Sequence, residues 1–123
     1  MPKAPPDYAG VGAVVLGASG FIGRWVARAL GAAGARLHLV VRDPTAAAPV
    51  FRRWGVRGEI VCADLARPGE LAAVLGAIRP SITFNLAGYG VDRDERDVAL
   101  AERINAALVE ELIDAVAAAR DPS

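Results

Sequence analysis

The chain has 123 residues, 14 basic and 14 acidic side chains, a formal net charge of zero and 54% hydrophobic residues, with one cysteine. Such a length makes a single domain that buries about two-thirds of the surface its unfolded form exposes. Balanced charge without a long lysine or arginine run argues against nucleic acid and acidic membrane surfaces as partners. One cysteine excludes an internal disulfide and a cysteine-based zinc cluster.

The N-terminal Met1-Pro2-Lys3-Ala4-Pro5-Pro6-Asp7 places prolines where a signal peptide has its apolar core, and no later run reaches membrane-spanning length. Residues 1–10 are therefore expected to be a disordered leader and residues 11–123 one folded domain of a soluble cytoplasmic protein. The first predicted strand, Gly12 to Leu16, runs into a turn with Gly17, Gly20 and Gly23 spaced three apart. A helix follows from Phe21 to Ala33, where Ile22, Val26, Ala29, Leu30 and Ala33 repeat at three and four residues and Gly34 stands at the C-cap.

The second strand, Leu37 to Val41, ends at Arg42-Asp43-Pro44, since proline cannot continue it. Pro49 interrupts the next helical pattern, so only Pro49 to Trp54 is expected to be helical. The third strand, Glu59 to Cys62, carries the cysteine in an apolar run and predicts a buried, reduced thiol. Leu71, Val74, Leu75 and Ile78 then form a helical stripe ending near Arg79-Pro80. The fourth strand, Ser81 to Leu86, precedes Ala87-Gly88-Tyr89-Gly90 and a charged loop from Asp92 to Asp97. A last helix, from about Asp97 to Ala119, aligns Ala101, Ile104, Leu108, Leu112, Ala115 and Ala119.

Strands alternating with helical patterns give an α/β fold, a three-layer Rossmann-type parallel sheet of four strands with about four helices. Right-handed crossovers predict the strand order 3-2-1-4. The glycine turn sits after a strand and opens a helix, the placement in which backbone N–H groups and the positive helix end meet a pyrophosphate. The alternative for the turn is a tight bend that binds nothing.

Other motifs fail. Gly17-Ala18-Ser19-Gly20 lacks the residue that a nucleophile elbow has between its serine and second glycine, and no Gly-Lys-Ser/Thr of a Walker loop follows. His38 reads as a packed or surface residue. Arg52, Arg53 and Arg57 read as a solvated face, as does the Asp92 to Asp97 loop, where alternating arginines would compete with a metal ion.

The heptad Gly17-Ala18-Ser19-Gly20-Phe21-Ile22-Gly23, with Asp64-Leu65, Asn85-Leu86-Ala87-Gly88 and Ile104-Asn105 downstream, resembles the extended short-chain dehydrogenase/reductase superfamily, the NAD(P)-dependent epimerase/dehydratase group. The likeness runs from about Val11 to the end of the sequence. It implies a dinucleotide partner and puts Gly17, Gly20 and Gly23 at the phosphate turn, with Ser19, Phe21 and Ile22 supplying further contacts. Asp64 and Leu65 would flank the adenine, and Ala87 and Gly88 the ribose and pyrophosphate. Asn105 would brace a neighbouring strand, a structural hydrogen bond being the plainer reading.

Cofactor choice turns on the end of the second strand. Valine at position 41 cannot hydrogen-bond the adenosine ribose as an acidic residue would, whereas the guanidinium of Arg42 suits a 2′-phosphate. Val41-Arg42-Asp43-Pro44 resembles the NADP-dependent dihydroflavonol reductase-like branch, so NADP(H) is expected, with NAD(H) as the alternative.

The superfamily transfers hydride on a carbonyl or sugar-nucleotide substrate, moving the proton through a tyrosine followed four residues later by a lysine. Here the only lysine is Lys3, and the tyrosines are Tyr8 and Tyr89. The chain is thus expected to be an NADP(H)-binding N-terminal fragment, lacking the fifth and sixth strands and the substrate domain and inactive by itself. The fourth strand, left as an apolar edge, is expected to drive self-association. Competing readings are a non-catalytic dinucleotide sensor or interaction module, and a half-fold that binds no ligand.

Overall fold

The computed structural model describes residues 8–87 and 108–120. Four parallel strands form one sheet in the order β3-β2-β1-β4: β1 (Gly12–Leu16), β2 (Arg36–Val41), β3 (Glu59–Cys62) and β4 (Ile82–Asn85). The helices among the described residues are α1 (Phe21–Ala32), α2 (Pro44–Trp54), α3 (Glu70–Ile78) and α4 (Leu108–Arg120). The predicted fold class and strand order both hold.

The chain divides into two compact units. The first holds the sheet, α1 and α2. Ala13 and Val15 of β1 and Leu37, Leu39 and Val41 of β2 alternate onto one sheet face, where they form a core with Ala27 and Leu30 of α1 and Ala47 and Phe51 of α2. Val14, Leu16 and Val40, on the opposite face, are buried as well. Burial of every β1 residue, whichever face it is on, explains why β1 reads as an unbroken apolar run rather than an alternating one.

Local sequence sets the helix ends. Beyond Ala32, the N–H of Gly34 donates to the carbonyl of Gly31 (3.0 Å) and that of Ala35 to Leu30 (3.1 Å), a paired closure of the last turn at the glycine expected there. For α2 the expectation needs correction, because the helix begins at Pro44, not Pro49. Pro44 occupies the first turn, where a missing N–H costs nothing, and the Asp43 side chain accepts from the Ala46 N–H at 3.2 Å. Pro49 then removes the bond to the Thr45 carbonyl and crowds it, yet the buried Ala47 and Phe51 hold the helix on the core.

The thiol also differs from expectation. Cys62 is exposed, because β3 is an outer strand, and its Sγ lies 3.6 Å from the Arg42 carbonyl oxygen as a weak donor.

In the second unit, α3 packs against α4, and Leu71 and Leu75 of α3 are buried. Arg79 closes α3 at φ 52°, directly before Pro80. The described part of α4 includes a half-buried Leu112 and exposed Val109 and Ile113. The predicted start of the last helix, with Ala101, Ile104 and Asn105, lies outside the described residues, as do the 92–97 loop and most of the 1–10 leader.

Candidate functional site

The glycine turn leaves the C-terminal end of β1. Gly17 takes φ +72°, a backbone conformation open to glycine, and its carbonyl accepts from the Gly20 N–H at 3.1 Å. Gly23 lies against the same peptide: a Cβ there would overlap the Gly17 carbonyl oxygen and stand 2.9 Å from its carbonyl carbon. The first turn of α1 can therefore press onto the strand end only with glycine at 23.

Gly20 is the N-cap of α1, no side chain caps the helix, and no acidic residue sits in its first turn. The first-turn N–H groups of Phe21, Ile22 and Gly23 have no partner within the helix. Phe21 and Ile22 are exposed, at 74% and 63%, so the peptide edge beside them is open to solvent. Gly17, Ser19, Gly20, Phe21, Ile22 and Gly23 thus share one turn, in which the Gly20 N–H closes on Gly17 and the Phe21, Ile22 and Gly23 N–H groups have no partner within the helix, the kind of donor set that suits a diphosphate.

Arg42 stands at the same end of the sheet. Leu16 of β1 registers with Val40 of β2, so the chain leaves both parallel strands side by side, Gly17 after one and Arg42 after the other. The Arg42 side chain is exposed and forms no ion pair among the described residues. Its neighbour Asp43 is engaged in capping α2.

The remaining predicted positions belong to the second unit. Asp64 follows β3 in the chain and sits in a tight loop: its Oδ1 accepts from the Ala66 N–H (3.0 Å), and its own N–H donates to Glu70 Oε1 (2.6 Å). Arg67 Nε lies 3.9 Å from Asp64 Oδ2. Leu65 is buried and Ala87 half-buried. Gly88 and Tyr89 lie outside the described residues.

Two features escaped the sequence reading. His38, read as a packed or surface residue, faces Glu59 across β2 and β3, with Nδ1 3.5 Å from Oε2; the carboxylate is 71% exposed, so the pair adds little. More consequential is Arg24, whose Nε donates to the Gly20 carbonyl (3.2 Å) and whose Nη2 donates to the Ser19 carbonyl (3.1 Å). The available signal was its spacing. Side chains on a helix lean toward its N-terminus, so an arginine four residues after the N-cap reaches back to the turn.

A profile described as the NAD dependent epimerase/dehydratase family matches residues 13–122. The chain belongs to this family. Among solved structures, it resembles a metagenomic short-chain oxidoreductase in complex with NADP (31% identity, TM-score 0.72, covering 90% of this chain and 57% of that one). It also resembles the Pseudomonas aeruginosa RhlG/NADP active-site complex (30% identity, TM-score 0.72, 94% and 50%). A bulky-bulky ketone specific alcohol dehydrogenase from Comamonas testosteroni is similar as well (26% identity, TM-score 0.69, 88% and 48%). The chain spans about half the length of these structures. Among curated proteins there is no match.

The family assignment fits the donor geometry of the glycine turn. Among the described residues, no group of three or more His, Cys, Asp or Glu side chains is arranged to hold a metal ion. None of the described helices is long and apolar enough to cross a membrane.

Proposed function

We propose that this chain binds the adenosine-diphosphate part of NADP(H) and forms the N-terminal portion of a family oxidoreductase or epimerase. The observation that carries this is the turn itself: an uncapped helix start, with glycine required at 23 by the Gly17 carbonyl. The nicotinamide would supply hydride transfer on a carbonyl or sugar-nucleotide substrate. The chain's own groups bind and orient. First-turn N–H groups of α1 meet the diphosphate, and Asp64, Leu65, Ala87 and Gly88 take the adenine and ribose side that the family pattern gives them. No tyrosine is followed four residues later by a lysine, so the 123 residues bind without turning over.

Preference for NADP(H) rests on Val41 and Arg42. The valine side chain offers the ribose no acceptor, and an exposed guanidinium without an ion partner among the described residues suits a 2′-phosphate. Solved relatives in complex with NADP support the same choice, as does the resemblance of residues 41–44 to the dihydroflavonol reductase-like branch.

The test is calorimetric titration with NADPH and NADH before and after Arg42→Ala. The substitution is expected to weaken NADPH by roughly tenfold to a hundredfold and leave NADH unchanged. An unaltered ratio removes the cofactor assignment, and a folded chain that binds neither dinucleotide removes the function.

The outer edge of β4 supports a second part of the proposal, pairing with another copy. Among the described strands β4 pairs with β1 alone, and Ile82 is exposed. Ile82→Lys is expected to shift a dimer to monomer in light scattering. A wild-type chain that stays monomeric at high concentration would overturn this.

A further inference from the structure

Arg24 occupies an electrostatically poor position. A cation in the first turn of a helix opposes the helix dipole, and α1 carries neither an acidic residue there nor a side-chain cap. What holds it is a set of contacts on both sides of the guanidinium. On one side it donates to the Ser19 and Gly20 carbonyls, at 3.1 and 3.2 Å. On the other, its Cζ stands 5.6 Å from the centre of the Trp54 ring. Trp54 meets Trp25 edge to face, with ring centres 4.7 Å apart and planes at 68°. These contacts run from the glycine turn through α1 to the C-terminal end of α2, all within the first unit.

The two carbonyls matter because of their peptide planes. In a trans peptide the C=O of one residue and the N–H of the next point in opposite directions. The Gly20 carbonyl already accepts the Arg24 backbone N–H at 3.0 Å as the first bond of the helix, so what the guanidinium adds is its hold on the Ser19 carbonyl, which sets the direction of the Gly20 N–H away from it. Gly20 N–H closes the turn on Gly17, and Phe21 N–H is one of the unpartnered first-turn donors.

We propose that Arg24, braced by Trp54, is a positioning residue that holds the Ser19–Gly20 peptide and so keeps the phosphate-binding turn closed on Gly17, with the first-turn donors of α1 in place. The inference rests on the dinucleotide reading and adds the residues that shape the site from behind.

The test uses the 123-residue chain with Arg24→Ala, Arg24→Lys, Trp54→Phe and Trp54→Ala. Two ligands are titrated: NADPH, and adenosine 2′-monophosphate, which keeps the adenosine and 2′-phosphate but has no diphosphate. Backbone-amide exchange is followed in the free protein. Arg24→Ala is expected to weaken NADPH about tenfold while changing adenosine 2′-monophosphate by less than about twofold. Exchange at Gly20, whose N–H is bonded to the Gly17 carbonyl, is expected to quicken, with the Ala27 to Leu30 amides unchanged. Trp54→Phe keeps the effect small, Trp54→Ala shares the loss, and Arg24→Lys, lacking the planar fork, recovers only part.

Arg24→Ala binding NADPH like the wild type overturns the proposal. So does a loss that is equal for both ligands, since that marks a general effect on folding. If Arg24→Ala does not fold, Arg24→Lys and Trp54→Ala decide by the same comparison. A wild-type chain that binds neither ligand overturns the dinucleotide reading instead, and the exchange data, which need no ligand, still decide whether Arg24 holds the turn.

Discussion

Gly17 and Gly23 approach so closely that one methyl group at 23 has no place to go without moving α1 off the end of β1. Gly23→Ala is therefore expected to cost about 1–3 kcal/mol in urea unfolding, the usual range for overpacking. It should also weaken NADPH by about tenfold or more, because the donors move with the helix. Unchanged stability would mean that the approach is looser than described. The spacing of the glycines made this contact legible, since strand, turn and helix were each visible in the surrounding residues. Arg24 was not legible in the same way: its role depends on Trp54, thirty residues away, and no local pattern joins them. Cys62 shows a different failure. Its apolar neighbours suggested burial, yet the predicted strand order already made β3 an outer strand, and position in the sheet outweighs local hydrophobicity.

At the scale of elements, α2 is the instructive case. Two prolines obscured its start in the sequence, but their effects are unequal, as Pro44 sits where a helix has no N–H to satisfy and Pro49 removes a single bond. Tertiary burial of Ala47 and Phe51 then decides the outcome, which no window of residues contains. The Asp43 cap should contribute measurably. Asp43→Ala is expected to lower stability by about 1 kcal/mol, read as a drop in the thermal midpoint by circular dichroism. β1, β2, α1 and α3 were legible within a residue or two at each end, because their apolar periods are uninterrupted and glycine or proline stands beside them.

Across the whole molecule, strand order followed from handedness together with the Rossmann pattern of the glycine turn: right-handed crossovers leave few ways to lay three further parallel strands beside the first. Zero net charge conceals an uneven distribution. Between Tyr8 and Cys62 there are seven arginines and only two carboxylates, Asp43 and Glu59, and the balance of the chain is correspondingly acidic. A polyanionic ligand should be drawn to the basic segment. NADPH association in stopped-flow is thus expected to slow with salt more steeply than NADH association, as the screening length falls from about 30 Å at 0.01 M to about 3 Å at 1 M. Equal salt slopes would speak against a role for the additional phosphate. The solvent-facing sulfur at the far margin of the sheet from β4 has a practical bearing on assembly. With one thiol per copy, air oxidation would join two chains covalently at that margin. Such a pair would survive detergent until a reductant is added, whereas a non-covalent partner on the other flank would separate in detergent alone.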